Sequence, residues 1–468
     1  MFQANPATSN QEPSRIGAGD VAVVVGTGRS GLAAAALLTH LGAAVRLVDS
    51  GSVAASVREQ AAPQGWELRE GEHCAEQFAQ ARLVVLSPGV NRRLLEPWLR
   101  HLEPERVIAE LELALGFVDA PIIAVTGTSG KTTTTTLIGR FLQALGRRVF
   151  VGGNIGTPLS SYVLECLVAS GSSEAADFLD AAAGAGVSEA GFAEAELLVL
   201  EVSSFQLLNT TSLHPRVGVL LNVSPNHLDY HHDMEEYTQA KLSLFARQDQ
   251  EDTAVFSEDL RELVQRRQIT KARTVYFNTH SGLSCPALPG QHNQANIAAA
   301  VEACRPFGLT ADTAQSVLDT FSGLPHRLQI VAERDGVLFV DDSKGTTVQA
   351  LKAALEAFDR PVLLLAGGVF KGGDLIGLKS LVRERTRAVG LFGASREVFE
   401  AAWSDSVPMM FWEPTLERAM DRLWVQAQVG DVMLLSPATA SFDLFRDYVH
   451  RGMTFQQHLR DLPEMRHA

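Results

Sequence analysis

Residues 121–136 read PIIAVTGTSGKTTTTT, in which an apolar strand leads into a glycine turn, one lysine and a run of hydroxyl side chains. Gly127 and Gly130 have no Cβ atom, so backbone N–H groups can approach phosphate oxygens there. The helix beginning near Lys131 directs its positive dipole end to the same place. Lys131 would neutralise terminal phosphates, and the Thr132 hydroxyl would ligate Mg²⁺. We predict a nucleoside triphosphate site. Because valine replaces the first glycine of a full P-loop, a strand-to-helix turn with a solvated lysine is the alternative.

Composition limits the class of protein. The chain has 468 residues, more than one hydrophobic core usually serves, so we expect three domains. Lys and Arg total 40 against 54 Asp and Glu, a net charge of −14 that argues against a nucleic-acid partner. No export signal is evident and no apolar run approaches about 18 residues, so we expect a cytoplasmic protein without membrane insertion. The four scattered cysteines fit a reducing compartment.

Strand-like and helix-like segments alternate along the chain, which is typical of parallel sheets and predicts the α/β class. The pattern restarts twice, first at the phosphate loop and again after residue 323. We therefore predict a Rossmann-like N-terminal domain, a central P-loop ATPase-type sheet domain and a C-terminal Rossmann-like domain, with boundaries 1–109, 110–323 and 324–468. Residues 167–196, rich in Ala, Gly, Ser and Glu, are interpreted as an insertion with no assigned chemistry.

A second glycine motif precedes the phosphate loop. An apolar run leads into Gly26-Thr-Gly28-Arg-Ser-Gly31, followed by a helix-like stretch and a strand ending in Asp49. This is a complete Rossmann fingerprint: the glycines allow a tight turn and close approach to a diphosphate, and Asp49 could accept a hydrogen bond from a ribose or base. NAD is the usual occupant, and a purely structural turn is the alternative. A triphosphate loop together with a diphosphate fingerprint suggests a ligase or transferase.

Polar residues follow two further apolar strands, at Glu201 and at His227. In an open parallel sheet these strand ends form the ligand-bearing edge. Both side chains are suitable Mg²⁺ contacts, although imidazole is unusual for so hard a cation. A solvated strand end and a hydrogen-bonded structural histidine are the alternatives. Lys241 lies on a predicted helix, where a surface ammonium is the default interpretation.

In this order the motifs resemble those of the Mur ligases over almost the whole chain. The shared motifs are the ATP loop at 126–132, Gly-Gly-Asn-Ile-Gly at 152–156, Glu-x-Ser-Ser-Phe-Gln-Leu at 201–207, Gly-x-His-Asn-x-x-Asn at 290–296 and Leu-Pro-His-Arg at 324–327. The segments 341–346 and 436–443, with Lys371, resemble those of the members that add D-glutamate.

The resemblance implies an ATP-dependent acid–amino-acid ligase. Its substrates would be ATP, D-glutamate and UDP-N-acetylmuramoyl-L-alanine, joined through an acyl phosphate in a cytoplasmic step of peptidoglycan precursor synthesis, and hence in cell wall biogenesis and division. It also implies two Mg²⁺ sites, a carbamate formed from CO₂ on Lys241, and a monomer.

Site residues follow from the same resemblance. The catalytic residues would be Lys131, Glu201, His227 and Lys241. The ATP contacts would be Gly127, Thr128, Ser129, Gly130, Lys131, Thr132, Thr133, Asn293, Arg327, Asp342 and Lys344. The UDP-substrate contacts would be Gly28, Arg29, Ser30, Asp49, Ser50, Ser87, Asn154 and His227. The D-glutamate contacts would be Thr346, Lys371, Ser441, Phe442 and Tyr448. The metal ligands would be Thr132, Glu201, His227 and carbamylated Lys241.

Some positions depart from the family pattern, and other functions stay open. Gly51 lacks the basic side chain that some members place beside the uracil, and Gly345 replaces a common alanine. The main alternative is a Mur-fold ligase with another amino-acid substrate; the Asp-Asn-Pro-Arg motif of the meso-diaminopimelate ligases is absent from the sequence. Folylpolyglutamate synthases lack a fingerprint domain like this one. The fingerprint alone would also fit a dinucleotide-dependent oxidoreductase or a nucleotide-sensing module.

Overall fold

The computed structural model describes residues 16–169, 195–227, 230–279 and 281–464. Most of the predicted insertion, at 170–194, lies outside these residues. The described chain contains three largely parallel sheets joined by helices, which confirms the α/β prediction. It divides into two compact units, one of residues 1–278 and 296–313 and one of residues 279–295 and 314–468. The exact boundaries of three domains stay a prediction.

The first sheet has the strand order β3-β2-β1-β4-β5 with all pairs parallel. Its strands are β1 Val21–Val25, β2 Ala44–Asp49, β3 Glu67–Glu70, β4 Ala81–Leu86 and β5 Val107–Ala109. The helices here are Arg29–His40, Ala55–Ala61, Ala75–Phe78, Arg92–Leu99 and Glu110–Leu115. The strand order reverses between β1 and β4, the position at which open α/β sheets bind ligands. The Ser87 hydroxyl, after β4, donates to Gly26 O, after β1, at 3.1 Å.

The second sheet has the order β11-β10-β9-β6-β8-β7, also parallel. Its strands are β6 Ile122–Thr126, β7 Val149–Gly153, β8 Leu197–Glu201, β9 Val217–Leu220, β10 Thr253–Ser257 and β11 Arg273–Phe277. The helices here are Lys131–Ala144, Leu159–Ala169, Ser204–Leu207, Met234–Leu242 and Arg261–Arg267. Because β6, β8 and β9 are buried along their whole length, they read as continuous apolar runs. Because β6 pairs in parallel with both β8 and β9, the loops after these three strands lie at the same edge of the sheet.

The third sheet has the order β12-β13-β17-β14-β15-β16, with β12 antiparallel to β13 and the other pairs parallel. Its strands are β12 Gln329–Arg334, β13 Val337–Asp341, β14 Val362–Gly367, β15 Thr386–Phe392, β16 Met410–Glu413 and β17 Val432–Leu435. The helices here are Val348–Glu356, Lys379–Arg385, Arg396–Trp403, Leu416–Trp424 and Tyr448–His458. The helices Gln291–Cys304 and Ala311–Asp319 precede this sheet. Short 3₁₀ helices occur at Pro104–Arg106, Ser243–Phe245, Glu258–Leu260, Arg305–Phe307 and Ile376–Leu378. None of the helices in the described ranges combines the length and apolar character that crossing a membrane requires.

Candidate active site

The phosphate loop follows β6 and has the backbone that its glycines predict. Gly130 adopts a left-handed conformation with φ of 84° at the start of the helix, and a Cβ there would lie 2.1 Å from Asn296 Oδ1. Lys131 Nζ donates to Gly127 O at 2.9 Å and to Thr128 O at 3.1 Å, so the lysine folds over its own loop. The ammonium is therefore held where the phosphates of a nucleotide would approach the helix N-terminus.

Glu201 joins residues predicted for two different substrates. It is 2 % exposed at the end of β8, next to the phosphate-loop strand. Its Oε2 accepts from the Thr132 hydroxyl at 2.8 Å, and its Oε1 accepts from Asn154 Nδ2 at 2.8 Å. Hydroxyl and carboxylate oxygens are hard ligands of the kind that Mg²⁺ prefers. This donor set fits the predicted metal.

Lys241 is buried, so it is not the surface ammonium of the default interpretation. The side chain is 1 % exposed, and its Nζ donates to Gly127 O at 2.9 Å. The nitrogen also lies 4.5 Å from the centre of the Tyr237 ring. Burial, and then the positive charge of Lys131, holds the pKa of Lys241 well below its usual range. A neutral amine is the form that reacts with CO₂, so this environment suits the predicted carbamate.

His227 lies in a turn after β9, with a left-handed φ of 56°. Its imidazole is exposed and makes an edge contact with the Phe205 ring, centre to centre 4.8 Å. Phe205 belongs to the short helix that follows Glu201. The structure therefore places His227 on the solvent-accessible side of the same sheet edge.

The fingerprint turn after β1 is ordered by Asp49. Its Oδ2 accepts from Thr27 N at 2.9 Å and from the Thr27 hydroxyl at 2.8 Å, while Oδ1 accepts from Gly51 N at 3.0 Å. Burial raises the pKa of Asp49, but the hydrogen bonds from Gly51 and Thr27 outweigh it and the net shift is downward. Arg29 reaches across to the central sheet and donates to Gly156 O at 3.1 Å. Other predicted UDP contacts in this region, Gly28, Ser30 and Ser50, are partly or fully exposed.

The remaining predicted residues belong to the second compact unit. Two lysines there lie over aromatic rings: Lys344 Nζ is 3.7 Å from the Tyr448 ring centre, and Lys371 Nζ is 5.6 Å from that of Phe442. Phe442 is 68 % exposed. Such pairs orient ammonium groups that can bind carboxylates, which is compatible with an acidic amino acid as ligand.

Asp342, predicted as an ATP contact, is buried at the end of β13. Its Oδ2 accepts from the Ser436 hydroxyl at 2.8 Å and its Oδ1 from Leu328 N at 3.2 Å. Burial raises the pKa of Asp342 to about 7. Hydrogen bonds also hold four other residues predicted to bind ATP or D-glutamate. The Asn293 side chain donates from Nδ2 to Pro289 O at 2.8 Å. The other three take part through the backbone: Arg327 N donates to Leu324 O at 3.2 Å, Thr346 N to Lys344 O at 2.8 Å, and Phe445 N to Ser441 O at 2.9 Å.

Sequence reasoning missed Arg451, which is fully buried beneath this group. Its guanidinium donates to the Ser343 hydroxyl at 3.0 Å, to Ser343 O at 2.8 Å and to Thr439 O at 3.1 Å. Arg451 therefore ties the loop after β13 to the loop after β17, which carry Thr346 and Ser441. An arginine at an inward position of the amphipathic helix Tyr448–His458 was the available signal.

A separate cavity of about 730 Å³ lies beside the helix that carries Lys241. Its walls include Leu207, Leu213, Gln239 and Ala240. None of its lining residues, within the part of the chain that the structure describes, is a predicted site residue. The hydrogen-bonded cluster around Gly127 is the better candidate for chemistry, because its charged groups converge on one loop.

Comparison with known proteins agrees with the motifs. Residues 20–103 match the family model of the Mur ligase MurD-like N-terminal domain, residues 125–286 match the Mur ligase middle domain, and residues 326–439 match the Mur ligase glutamate ligase domain. The UDP-N-acetylmuramoylalanine–D-glutamate ligase of Oleidesulfovibrio alaskensis is 52 % identical over 96 % of this chain and 95 % of its own length. That of Nitratidesulfovibrio vulgaris is 52 % identical over 97 % of this chain and all of its own.

Solved structures share the fold at low sequence identity. The MurF ligase of Thermotoga maritima in complex with ADP has a TM-score of 0.55 and 20 % identity, covering 96 % of this chain and 97 % of its own. The UDP-N-acetylmuramate–alanine ligase MurC of the same organism has a TM-score of 0.56 and 16 % identity, covering 94 % and 99 %. The fold agrees with these structures, and the full-length relatives decide the classification. The chain belongs to the Mur ligase family, in its UDP-N-acetylmuramoylalanine–D-glutamate ligase branch.

Proposed function

We propose that this protein ligates D-glutamate to UDP-N-acetylmuramoyl-L-alanine with hydrolysis of ATP to ADP and phosphate. Relatives that are 52 % identical over nearly the whole chain carry this activity in their names. The observation that carries the proposal is Glu201, whose two carboxylate oxygens contact Thr132 of the phosphate loop and Asn154, which directly follows β7. One side chain thus joins the predicted ATP and UDP-substrate regions.

The reaction would run in two steps. First, an oxygen of the alanyl carboxylate attacks the γ-phosphorus of ATP, the bond from that phosphorus to the bridging oxygen breaks, and ADP leaves. The amine of D-glutamate then attacks the carbonyl carbon of the acyl phosphate, the carbon–oxygen bond to phosphate breaks, and the amine loses a proton. An amide and inorganic phosphate result.

The chain's residues contribute mainly charge and position. Lys131, held over Gly127 and Thr128, offsets the repulsion between an anionic carboxylate and an anionic triphosphate. Gly130 and Thr133 would place the α- and β-phosphates at the helix N-terminus. Both steps also require the reacting groups to be aligned and water to be excluded. Binding of the nucleotide by a preorganised loop would hold the γ-phosphate in line with the attacking carboxylate.

Mg²⁺ would be held by Thr132, Glu201, His227 and the carbamate oxygens of Lys241. When bound, Mg²⁺ would neutralise phosphate charge. The oxygens of Glu201 and Thr132 lie side by side, joined by a hydrogen bond. The lowered pKa of Lys241 favours its carbamylation. Both metal sites and the carbamate belong to this proposal.

The substrate assignments follow the family motifs to which each group of residues belongs. We assign the fingerprint turn, with Gly28, Arg29, Ser30, Asp49, Ser50 and Ser87, to the UDP moiety, and Asn154 with His227 to the alanyl carboxylate. We assign Lys371, Thr346, Ser441, Phe442 and Tyr448 to D-glutamate, and Asn293, Arg327, Asp342 and Lys344 to the nucleotide. The cytoplasmic location, the monomeric state and the boundaries 1–109, 110–323 and 324–468 stay predictions.

One assay tests the proposal. Purified protein is given ATP, Mg²⁺ and UDP-N-acetylmuramoyl-L-alanine, and phosphate release and product mass are measured with D-glutamate, L-glutamate, lysine or meso-diaminopimelate. We expect phosphate release and an amide product with D-glutamate alone. Product with another amino acid would favour the alternative Mur-fold ligase. Tight NAD binding without any amide product would favour the oxidoreductase or nucleotide-sensing alternative.

A further inference from the structure

Asn222 follows β9, the strand that lies beside β6 in the central sheet. The strand order reverses here, so the chain after β9 meets the phosphate loop although the two are far apart in sequence. Thr128 N donates to Asn222 Oδ1 at 3.1 Å and also to Asn222 O at 3.1 Å. Ser129 N donates to the same Oδ1 at 2.9 Å, and Asn222 Nδ2 donates to Ser129 O at 3.2 Å. One side chain thus binds three backbone groups of the loop.

The amide side chain suits this position because it carries an acceptor and a donor at one end. Aspartate would keep the acceptor for the two N–H groups but would turn a carboxylate oxygen towards Ser129 O. Alanine would leave all three backbone groups without this partner. The geometry therefore selects asparagine over its isosteric acid.

We infer that Asn222 is a positioning residue that fixes the phosphate loop and occupies the Thr128 and Ser129 amides. Nucleotide phosphates would then be bound by Lys131 and by the helix N-terminus that begins after Gly130. This inference rests on the proposed use of ATP, and it narrows the predicted role of Thr128 and Ser129 from direct ATP contacts to loop support.

The Thr128 side chain extends the same support towards Lys241. Its Oγ1 accepts from Ser224 N at 3.0 Å and lies 3.0 Å from the Tyr237 hydroxyl. The Tyr237 ring in turn lies against the Lys241 ammonium. Loss of Asn222 would therefore shift the loop whose Gly127 carbonyl both lysines contact. The fingerprint turn follows a strand of a different sheet and takes no part in these hydrogen bonds.

The test compares Asn222→Ala and Asn222→Asp with Asn278→Ala. Asn278 is an exposed asparagine that directly follows β11, an edge strand of the same sheet. Calorimetric titration gives the affinity for ADP with Mg²⁺ and, separately, for UDP-N-acetylmuramoyl-L-alanine. We expect Asn222→Ala to weaken ADP binding about tenfold or more, from the loss of loop hydrogen bonds, with the UDP substrate bound as in the wild type. Asn222→Asp should weaken ADP further, because a carboxylate stands beside the phosphate site.

Hydrogen exchange gives a second readout that does not depend on catalysis. In the nucleotide-free wild type, the Thr128 and Ser129 amides should already exchange slowly, and Asn222→Ala should make them exchange faster. Unchanged ADP affinity in both Asn222 variants would overturn the inference. So would fast exchange in the free wild type that slows only when ADP is added, since the nucleotide would then be the partner of these amides. A protein that binds ADP in this pattern but forms no amide would refute the proposed function and leave the role of Asn222 standing.

Discussion

Replacing Lys241 tests whether the site needs a lysine that has lost its positive charge. The Nζ atoms of Lys241 and Lys131 each lie 2.9 Å from Gly127 O. Two ammonium charges about 5 Å apart, at an effective dielectric constant of about 20, repel each other by about 3 kcal/mol. A carbamate on Lys241 would turn this repulsion into attraction and add two oxygens. Losing one preorganised charged group typically costs about 100- to 1,000-fold in kcat, so we expect Lys241→Ala to lower kcat by that factor.

The assay is phosphate release with all three substrates at saturation. Lys241→Ala should regain part of its activity with acetate, a small carboxylate that fits the space left by the side chain. Wild-type protein in CO₂-depleted buffer should lose activity and recover it with bicarbonate, while Lys241→Ala should not respond. Lys271→Ala, which removes an exposed lysine from the same unit, serves as the control and should keep wild-type turnover.

Lys241→Arg separates the two possible roles of the side chain. Arginine keeps a positive charge in this pocket and does not form a carbamate under these conditions. Turnover close to that of the wild type in Lys241→Arg would show that a cation is what the site requires. That outcome would refute the charge argument, as would wild-type activity that is indifferent to bicarbonate.

Three further predictions concern the phosphate loop, the fingerprint turn and a buried acid. Lys131→Ala removes the cation beside the phosphates and should lower ATP-dependent amide formation by at least about 100-fold; near-normal formation would contradict its role. Gly31→Ala brings a Cβ within 2.0 Å of Gly26 O and should lower the free energy of unfolding by about 1–3 kcal/mol. Gly28→Ala, whose Cβ would meet no atom within 4 Å, should keep the wild-type urea midpoint and bind the UDP substrate more weakly; equal midpoints for the two variants would contradict the turn geometry. Burial raises the pKa of Glu110 above its ordinary 4.5, so the stability that its protonated form contributes is lost as pH rises through the folded-state pKa. Glu110→Gln should remove that loss, and urea midpoints of the two proteins that stay parallel between about pH 4 and 8 would count against it.

The fold class could be predicted from the sequence because its strands and turns have recognisable local sequence patterns. Buried parallel strands are continuous apolar runs, and the two runs that lead into the Gly26 turn and into the phosphate loop are both strands in the structure. The glycine motifs also predicted the turns correctly. In the structure, a Cβ atom at Gly31 or Gly130 would clash with neighbouring atoms, which explains why glycine stands there. Strand identity and turn chemistry both depend on neighbours in the chain, which a sequence shows directly.

Burial of polar side chains was harder to predict, because it depends on strand order. Asn222 contacts the phosphate loop only because β9 lies next to β6, and nothing in the local sequence fixes that pairing. Arg451 would be assigned to the surface by composition, yet it is fully buried between two loops. The general rule that polar residues at the carboxyl ends of parallel strands face the ligand identified Glu201 as a site residue. The rule does not distinguish polar residues that contact a ligand from those that only hold the surrounding loops in place.

The two lysines at Gly127 bear on whether the proposed carbamate would fit the loop as it stands. A carbonyl oxygen has two lone pairs, and Lys131 and Lys241 each donate to this one. A lysine carbamate keeps one hydrogen on Nζ while losing the positive charge, so the bond from Lys241 to Gly127 is compatible with the modification. The loop would therefore not need to change its conformation if CO₂ were added to Lys241. What changes is the charge beside Lys131, which would convert a site that repels a second cation into one that attracts Mg²⁺.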